Sequence, residues 1–245
     1  MCRSRGNPAS LSIGRLGKIA IRELFQSLYF ICQIQCCRAV RHLSRLSEAT
    51  TNACASKPSI YNVVTPPKPR NSTKMDFIIK PAMADDIAEI AELTNKARAE
   101  MFPHQGHKWR AQKAEEDSAS FQQTFIDHPQ GAYLIARSEG KLVATVGYQH
   151  YDYRFSELAL ETEGVVEVVR LYVDPDWRRG GLASKTVAVL VQIAKEAGFK
   201  QLYLHTHPFL PGAIKFWERQ GFTLLRVDVD DLVWQTTHMS RSLRE

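Results

Sequence analysis

The sequence predicts an α+β domain over residues 75–245, with a mixed central sheet of about seven strands flanked by helices. Two observations lead to this fold class. Residues 165–198 read as a strand, a glycine-containing loop and a helix in direct succession. Around them, strand-like and helical periods give the order strand, two helices, three strands, helix, strand, helix, two strands.

The strand, loop and helix at residues 165–198 form the clearest part of the pattern. Residues 165–173 are rich in β-branched side chains, and Pro175 removes a ladder donor just after them. From Leu182 onward, apolar side chains recur at helical spacing, and Gly198 follows where a left-handed cap ends a helix. We therefore expect a central strand followed by a helix with one buried face.

The other elements follow from the same periods and from the residues that break them. Before the central strand, we expect a strand at 77–80, helices at 85–99 and 112–127, a loop at 101–109, and a hairpin of strands 132–137 and 141–148. After it, we expect a strand at 201–205, a helix at 212–220, and strands at 222–227 and 232–238. The aromatic stretch at 148–155 fits either packing or a substrate pocket.

The first 74 residues differ in composition from the rest of the chain. They hold 12 basic and 2 acidic residues, whereas the remainder holds 20 basic and 24 acidic ones. The basic charge belongs to this segment, so we do not expect the domain to bind nucleic acid. An Arg-rich leader with few acids is typical of a transit peptide, which would make the protein mitochondrial. The equally weighted alternative is a disordered extension or a gene-model artefact before a cytoplasmic domain starting at Met75. No stretch predicts a membrane helix.

All five cysteines also lie in the first 74 residues. Their absence from the domain excludes a cysteine nucleophile, a disulfide framework and a cysteine-based metal site there. The spacing of Cys32, Cys36, Cys37 and His42 fits no common zinc pattern, so we expect no metal.

The loop after the central strand combines cations with glycines at the start of a helix. Arg178 and Arg179 supply the charge, and Gly180 and Gly181 let backbone N–H groups approach a ligand closely. The first turn of a helix has unpaired donors and a partial positive charge. The loop is therefore suited to binding phosphate, although it lacks the Gly-Lys-Ser/Thr ending of a P-loop.

The pattern Arg178-x-x-Gly181-x-Ala183, after a strand ending in Val-Asp-Pro, resembles the acetyl-CoA pyrophosphate loop of GNAT-type N-acetyltransferases. A second segment, AIKFWERQGF at residues 213–222, is similar to the family's Ala-Ile-x-x-Tyr-Glu-x-x-Gly-Phe. The resemblance covers residues 75–245 and implies the GNAT fold, with acetyl-CoA as co-substrate. It also implies a set of cofactor-binding residues: Leu171, Tyr172, Val173, Arg178, Arg179, Gly180, Gly181, Leu182, Ala183 and Trp217.

Acetyl transfer to an amine needs a base for the ammonium and is helped by an acid for the leaving thiolate. Glu167 stands eleven residues before Arg178, and in the enzymes that this chain resembles a glutamate at that offset deprotonates the amine. We expect burial to raise its pKa toward the working pH. The alternative is a structural ion pair with a basic neighbour.

The expected acid departs from the family pattern, because Trp217 stands at the usual tyrosine position and an indole cannot give up its proton. We predict His207 as the substitute, with His205 and Tyr172 as other candidates; alternatively, the thiolate leaves unprotonated.

The leading functional interpretation is direct acetyl transfer from acetyl-CoA to a primary amine of a small molecule or peptide. The alternatives are a catalytically silent acyl-CoA-binding module and a protein- or histone-directed acetyltransferase. By resemblance, the acceptor site is built from residues 101–110 and 148–161. The sequence defines neither the acceptor nor the oligomeric state.

Overall fold

The computed structural model describes residues 76–244. The strands are β1 (Ile78–Pro81), β2 (Ala132–Ser138), β3 (Lys141–His150), β4 (Val165–Val173), β5 (Gln201–Thr206), β6 (Thr223–Val227) and β7 (Thr237–Ser242). The α-helices are α1 (Ile87–Met101), α2 (His107–Phe121), α3 (Leu182–Glu196) and α4 (Ala213–Arg219). A π-helical segment, Gln122–Asp127, continues α2.

The strands form one seven-stranded sheet in the order β1-β2-β3-β4-β5-β7-β6. All neighbours are antiparallel except β4 and β5, which run parallel. Their pairing covers three positions, from Val165 opposite Gln201 to Glu167 opposite Tyr203. Both strands continue past this point, so the sheet opens between them directly after Glu167. The mixed seven-stranded sheet expected from the sequence is confirmed.

The second half of β4 contains a β-bulge. The register with β3 shifts between Thr145 and Gly147, and Arg170 has a φ of 58° in the left-handed region. The Arg170 carbonyl accepts a hydrogen bond from Thr145 Oγ1 at 3.0 Å, and its guanidinium binds Asp117 of α2 at 2.7 Å. A bulge bends its strand locally, and this one bends β4 beside the opening in the sheet.

Alternating side chains of the strands pack against helices on the two faces of the sheet. On one face, α3 contributes Leu190 to the largest apolar cluster. On the other face, α1 and α2 contribute Ile90 and Phe121 to a second cluster. A third, smaller cluster surrounds Tyr151 and Tyr203, on the face toward which Glu167 points.

The loop between the first two helices is shorter than the sequence predicts. The sequence predicts a loop at 101–109 and a helix at 112–127. In the structure, α1 continues to Met101 and α2 already begins at His107. Trp109, in the first turn of α2, packs edge-on against Phe102 with ring centroids 6.2 Å apart. This tertiary contact outweighs the weak helical period of the segment.

The predicted strand at 232–238 is wrong in its first half, because β7 starts at Thr237. The carboxylate of Asp231 accepts hydrogen bonds from the backbone N–H groups of Val233 at 3.1 Å and Trp234 at 3.2 Å. An aspartate that binds the backbone two and three residues ahead favours a turn over a strand ladder. Leu232 and Val233 are consequently 83% and 74% exposed.

The predicted N-terminal extension, residues 1–74, lies outside the described residues, as do all five cysteines. Its separation from the domain stays a prediction. Within residues 76–244, no helix is both long and apolar enough to cross a membrane.

Candidate active site

The glycine loop leads from the end of β4 to the first turn of α3. Gly181 caps the helix with a φ of 79°, and Arg179 before it has a φ of 66°. A Cβ on Gly181 would meet nothing within 4 Å, so the backbone conformation rather than crowding favours glycine there. Arg179, Gly180 and Gly181 are exposed, and the first amides of α3 have no acceptor within the helix. The loop can therefore receive an anion.

Arg178, predicted to bind pyrophosphate, is held by neighbouring groups of the protein. Its two terminal nitrogens donate to the carboxylate of Glu100 in α1 at 2.5 and 2.9 Å. Its Nε donates to the carbonyl of Val173 at 2.9 Å, so this carbonyl is occupied as well. The hydrogen bond from Arg178 lowers the pKa of Glu100. An anion that recruits Arg178 must compete with this carboxylate.

The predicted cofactor contacts in β4 and at the start of α3 lie on different faces of the sheet. Leu171 packs against the α3-side cluster, in which Leu182 is buried, and Ala183 is half-buried there. Tyr172 points to the opposite face, where its hydroxyl donates to Glu100 at 2.9 Å. Burial, helped by this carboxylate, raises the pKa of Tyr172 to about 12, which disfavours it as a proton donor at neutral pH.

Trp217 lies in α4 with 7% of its surface exposed. Its ring contacts Phe216 and Phe222, each with a centroid separation of 5.1 Å. The indole thus packs into the apolar core of the α3 side, and its contact with a cofactor stays a prediction.

Glu167 is the buried charged group at the opening between β4 and β5, with 1% of its surface exposed. Arg154 binds both carboxylate oxygens, with Nη1 at 3.1 Å from Oε2 and Nη2 on Oε1. Gln149 of β3 donates to Oε2 at 3.2 Å, and His205 Nδ1 lies 3.2 Å from Oε1. The carboxylate is therefore surrounded by donors.

The expected rise in the pKa of Glu167 is not observed. Burial does push the pKa upward, but the hydrogen bond from His205 and the charge of Arg154 outweigh it and lower the pKa to about 2. Glu167 is thus ionised throughout the neutral range and is a weak base by itself. The ion pair with a basic neighbour, the alternative from the sequence, is present, and the predicted role as base stays a prediction.

His205 connects the buried carboxylate of Glu167 to solvent. Its side chain is 37% exposed, although Glu167 is buried. An Nδ1–H that donates to a carboxylate leaves the Nε2 lone pair as a proton acceptor, and the carboxylate stabilises the imidazolium that forms. The pair can therefore accept a proton at a position that a ligand can reach.

His207 belongs to a group of rings beyond His205, which we call the aromatic cluster. Its members come from the start of the α1–α2 loop, the first turn of α2, the segment after β5 and the β6–β7 loop: Phe102, Trp109, His207, Phe209 and Trp234. Burial lowers the pKa of His207 to about 4, and its Nδ1 lies 3.1 Å from the Trp234 carbonyl. A ring that is neutral at pH 7 is poorly suited to protonating a thiolate, which counts against the predicted acid.

Several of these groups could not be identified from the sequence. Arg154 stands in the aromatic stretch at 148–155, but its pairing with Glu167 spans an intervening loop. Glu100 looks like an ordinary solvent-facing residue near the end of a helix. The sequence predicts a strand around Trp234, and this prediction gives no sign that its ring contacts Phe102 of the α1–α2 loop.

A family model for the acetyltransferase (GNAT) family matches residues 93–222, more than half of the chain. Among curated proteins, the Uncharacterized N-acetyltransferase YjgM of Escherichia coli (strain K12) is 33% identical over 94 residues, which cover 38% of this chain and 52% of YjgM. The chain spans about half the length of the curated relatives it matches.

Solved structures share the fold. An acetyltransferase of the GNAT family from Staphylococcus aureus Mu50 matches with a TM-score of 0.55 and 15% identity, covering 69% of this chain and 100% of that one. The PaiA N-acetyltransferase from Thermoplasma acidophilum, in complex with coenzyme A, matches with a TM-score of 0.53 and 13% identity, covering 69% and 99%. At these identities the likeness shows the fold.

Proposed function

Because the chain belongs to the GNAT acetyltransferase family, we propose that it transfers an acetyl group from acetyl-CoA to a primary amine of a small molecule or peptide. The observation that carries this proposal is the opening of the sheet after Glu167. The Glu167–His205 pair lies on one side of this opening, and the glycine loop lies at the far end of β4.

Two lines of support favour acetyl-CoA as the cofactor: the groups that the glycine loop offers, and the membership of the chain in the GNAT family. The exposed backbone of Gly180 and Gly181, the charge of Arg179 and the first amides of α3 suit a pyrophosphate. The solved relative from Thermoplasma acidophilum holds coenzyme A on the same fold. Beside the opening, the main chain of Leu171 and Val173 would bind the pantetheine arm, with the Val173 carbonyl released when Arg178 moves.

The proton route assigned to Glu167 runs through His205. The ammonium of the acceptor gives a proton to His205 Nε2, while Glu167 holds Nδ1 and stabilises the imidazolium. The neutral amine then attacks the thioester carbonyl, so that a C–N bond forms, the C–S bond breaks, and the sulfur leaves as thiolate. The second proton of the amine nitrogen, which the new amide must lose, passes to this thiolate through solvent and gives the CoA thiol. Arg154, Gln149 and His207 surround the pair and fix its geometry.

A second candidate, a silent acyl-CoA-binding module, is favoured by one observation. Arg154 binds both oxygens of Glu167, and such an ion pair also fits a purely structural role. The two candidates share the cofactor and differ in turnover.

The test is a calorimetric titration of the full chain with acetyl-CoA, followed by assays of CoA release with a panel of primary amines. We expect micromolar binding and amine-dependent CoA release. Binding without release for any amine would favour the silent module, and absence of binding would contradict both candidates. The cytoplasmic location and the role of residues 1–74 stay predictions.

A further inference from the structure

The aromatic cluster is assembled from parts of the chain that are far apart in sequence. Phe102 lies at its centre, with ring centroids 6.1 Å from Phe209, 5.9 Å from Trp234 and 6.2 Å from Trp109. His207 stacks on Phe209 at 5.0 Å with nearly parallel planes. Separate loops have thus been brought together by ring contacts at the edge of the candidate active site.

The cluster presents apolar surface to solvent. Phe209 is 43% exposed, and the turn that holds Trp234 also carries the exposed side chains of Leu232 and Val233. Asp231 fixes this turn by accepting from two backbone N–H groups, so the exposure follows from a defined local structure. Exposed apolar surface that is rigidly built often marks a binding site.

The cluster is continuous with the reacting groups. His205 contacts Glu167 on one side, and its ring centroid lies 6.0 Å from that of His207 on the other. An amine nitrogen bound at His205 therefore has aromatic rings within reach of a short carbon linker. The cluster itself carries no full charge at neutral pH, because four of its members are uncharged and burial keeps His207 neutral.

The rings of the aromatic cluster favour one kind of group attached to the acceptor amine. An aryl ring packs on other rings with an energy beyond that of simple area burial, whereas a carboxylate would lose hydration against them. We propose that the acceptor is an arylalkylamine, in which a short linker joins a primary amine to an aromatic ring that packs on the aromatic cluster. This inference rests on the proposed function and adds the class of its substrate.

The test compares phenethylamine with butylamine and cyclohexylethylamine as acceptors for the full chain. Butylamine keeps the amine and lacks the ring, and cyclohexylethylamine keeps the bulk and lacks the aromatic face. We expect kcat/KM for phenethylamine to exceed that for butylamine by at least about tenfold, with cyclohexylethylamine between them. Equal values for the three amines would overturn the inference and leave acetyl transfer intact.

A substitution at an exposed ring tests the site directly. Phe209→Ala should lower the preference for phenethylamine over butylamine about tenfold while leaving kcat/KM for butylamine nearly unchanged. The matched control is Ile78→Ala, an exposed apolar residue on β1 at the opposite end of the strand order, which should not change the preference. An unchanged preference in Phe209→Ala would also overturn the inference.

Binding without turnover separates this inference from the proposed function. Phenethylamine should change the intrinsic tryptophan fluorescence of the chain in the absence of acetyl-CoA, and Trp234→Phe should reduce this change. Such a change without CoA release would contradict the proposed transfer while supporting the aromatic site. Higher activity with a peptide bearing an N-terminal phenylalanine than with phenethylamine would assign the ring to a peptide, against a small amine.

Discussion

The glycine loop and the aromatic cluster lie at different ends of the candidate active site and are built in different ways. The loop is one short stretch, residues 178–183, in which backbone amides are the main groups available to an anion. The cluster takes side chains from several loops that meet only in the folded chain. A ligand with an invariant part, such as a cofactor, can be bound by backbone geometry, whereas a specific substrate needs a surface that side chains define.

The largest expected effect lies between the two regions, at Glu167. Glu167→Gln keeps the shape of the side chain and removes the charge that stabilises a protonated His205. We expect kcat to fall about a hundredfold or more while the Kd for acetyl-CoA stays within about twofold. Steady-state kinetics and calorimetry measure the two quantities. An unchanged kcat would contradict the role of Glu167 in proton transfer and leave only the two binding regions of the site.

Stability must be measured on the same variant. Arg154 is 13% exposed and would lose its buried acidic partner while keeping the pair with Asp152, so the free energy of unfolding should fall by roughly 3 kcal/mol. The double variant Arg154→Met with Glu167→Gln removes both charges. It should recover stability without activity, which separates a loss of catalysis from a loss of folding.

The next effect concerns the loop. Ala183→Asp places a carboxylate in the first turn of α3, where it favours the free helix and repels a bound phosphate. We expect the Kd for acetyl-CoA to rise about tenfold or more in the folded variant. Thermal unfolding is measured alongside, because Ala183 is half-buried and a carboxylate there costs some stability. Ala188→Asp makes the same change at an exposed position of the same helix and should leave the Kd nearly unchanged. Equal effects in the two variants would contradict phosphate binding at the helix start.

The last effect concerns the cluster and is seen only when the pH is lowered. The pKa of His207 in the folded chain, about 4, lies below its ordinary value of 6.5, so protonation favours unfolding. The stability contributed by neutral His207 is fully present above pH 6.5 and is lost as the pH falls toward about 4. His207→Phe keeps a ring beside Phe209 and should remove on the order of 2 kcal/mol of this pH dependence in urea unfolding. His104→Phe, an exposed position, is the control and should show the wild-type dependence.

The two regions also differ in how far the sequence predicts them. The loop and the fold were recognisable because their signals are contiguous: a strand period, two glycines and a helical period in one stretch. The positions of Arg154 and Trp234 depend on tertiary contacts, and no local period encodes them. The predicted rise in the pKa of Glu167 is wrong for the same reason. Burial can be inferred from an apolar strand, but an arginine that pairs with Glu167 from another segment cannot.

The pairing of Arg178 with Glu100 connects the glycine loop to the end of α1, beside the aromatic cluster. Glu100 is the last residue but one of α1, and Phe102 of the cluster follows two positions later. When a phosphate draws Arg178 away, the Glu100 carboxylate loses its arginine partner and keeps the Tyr172 hydroxyl. We expect this change at the end of the helix to alter the loop that follows it. Such linkage is reciprocal. We therefore expect each ligand to alter the affinity of the other, which calorimetric titration of one ligand in the presence of the other measures.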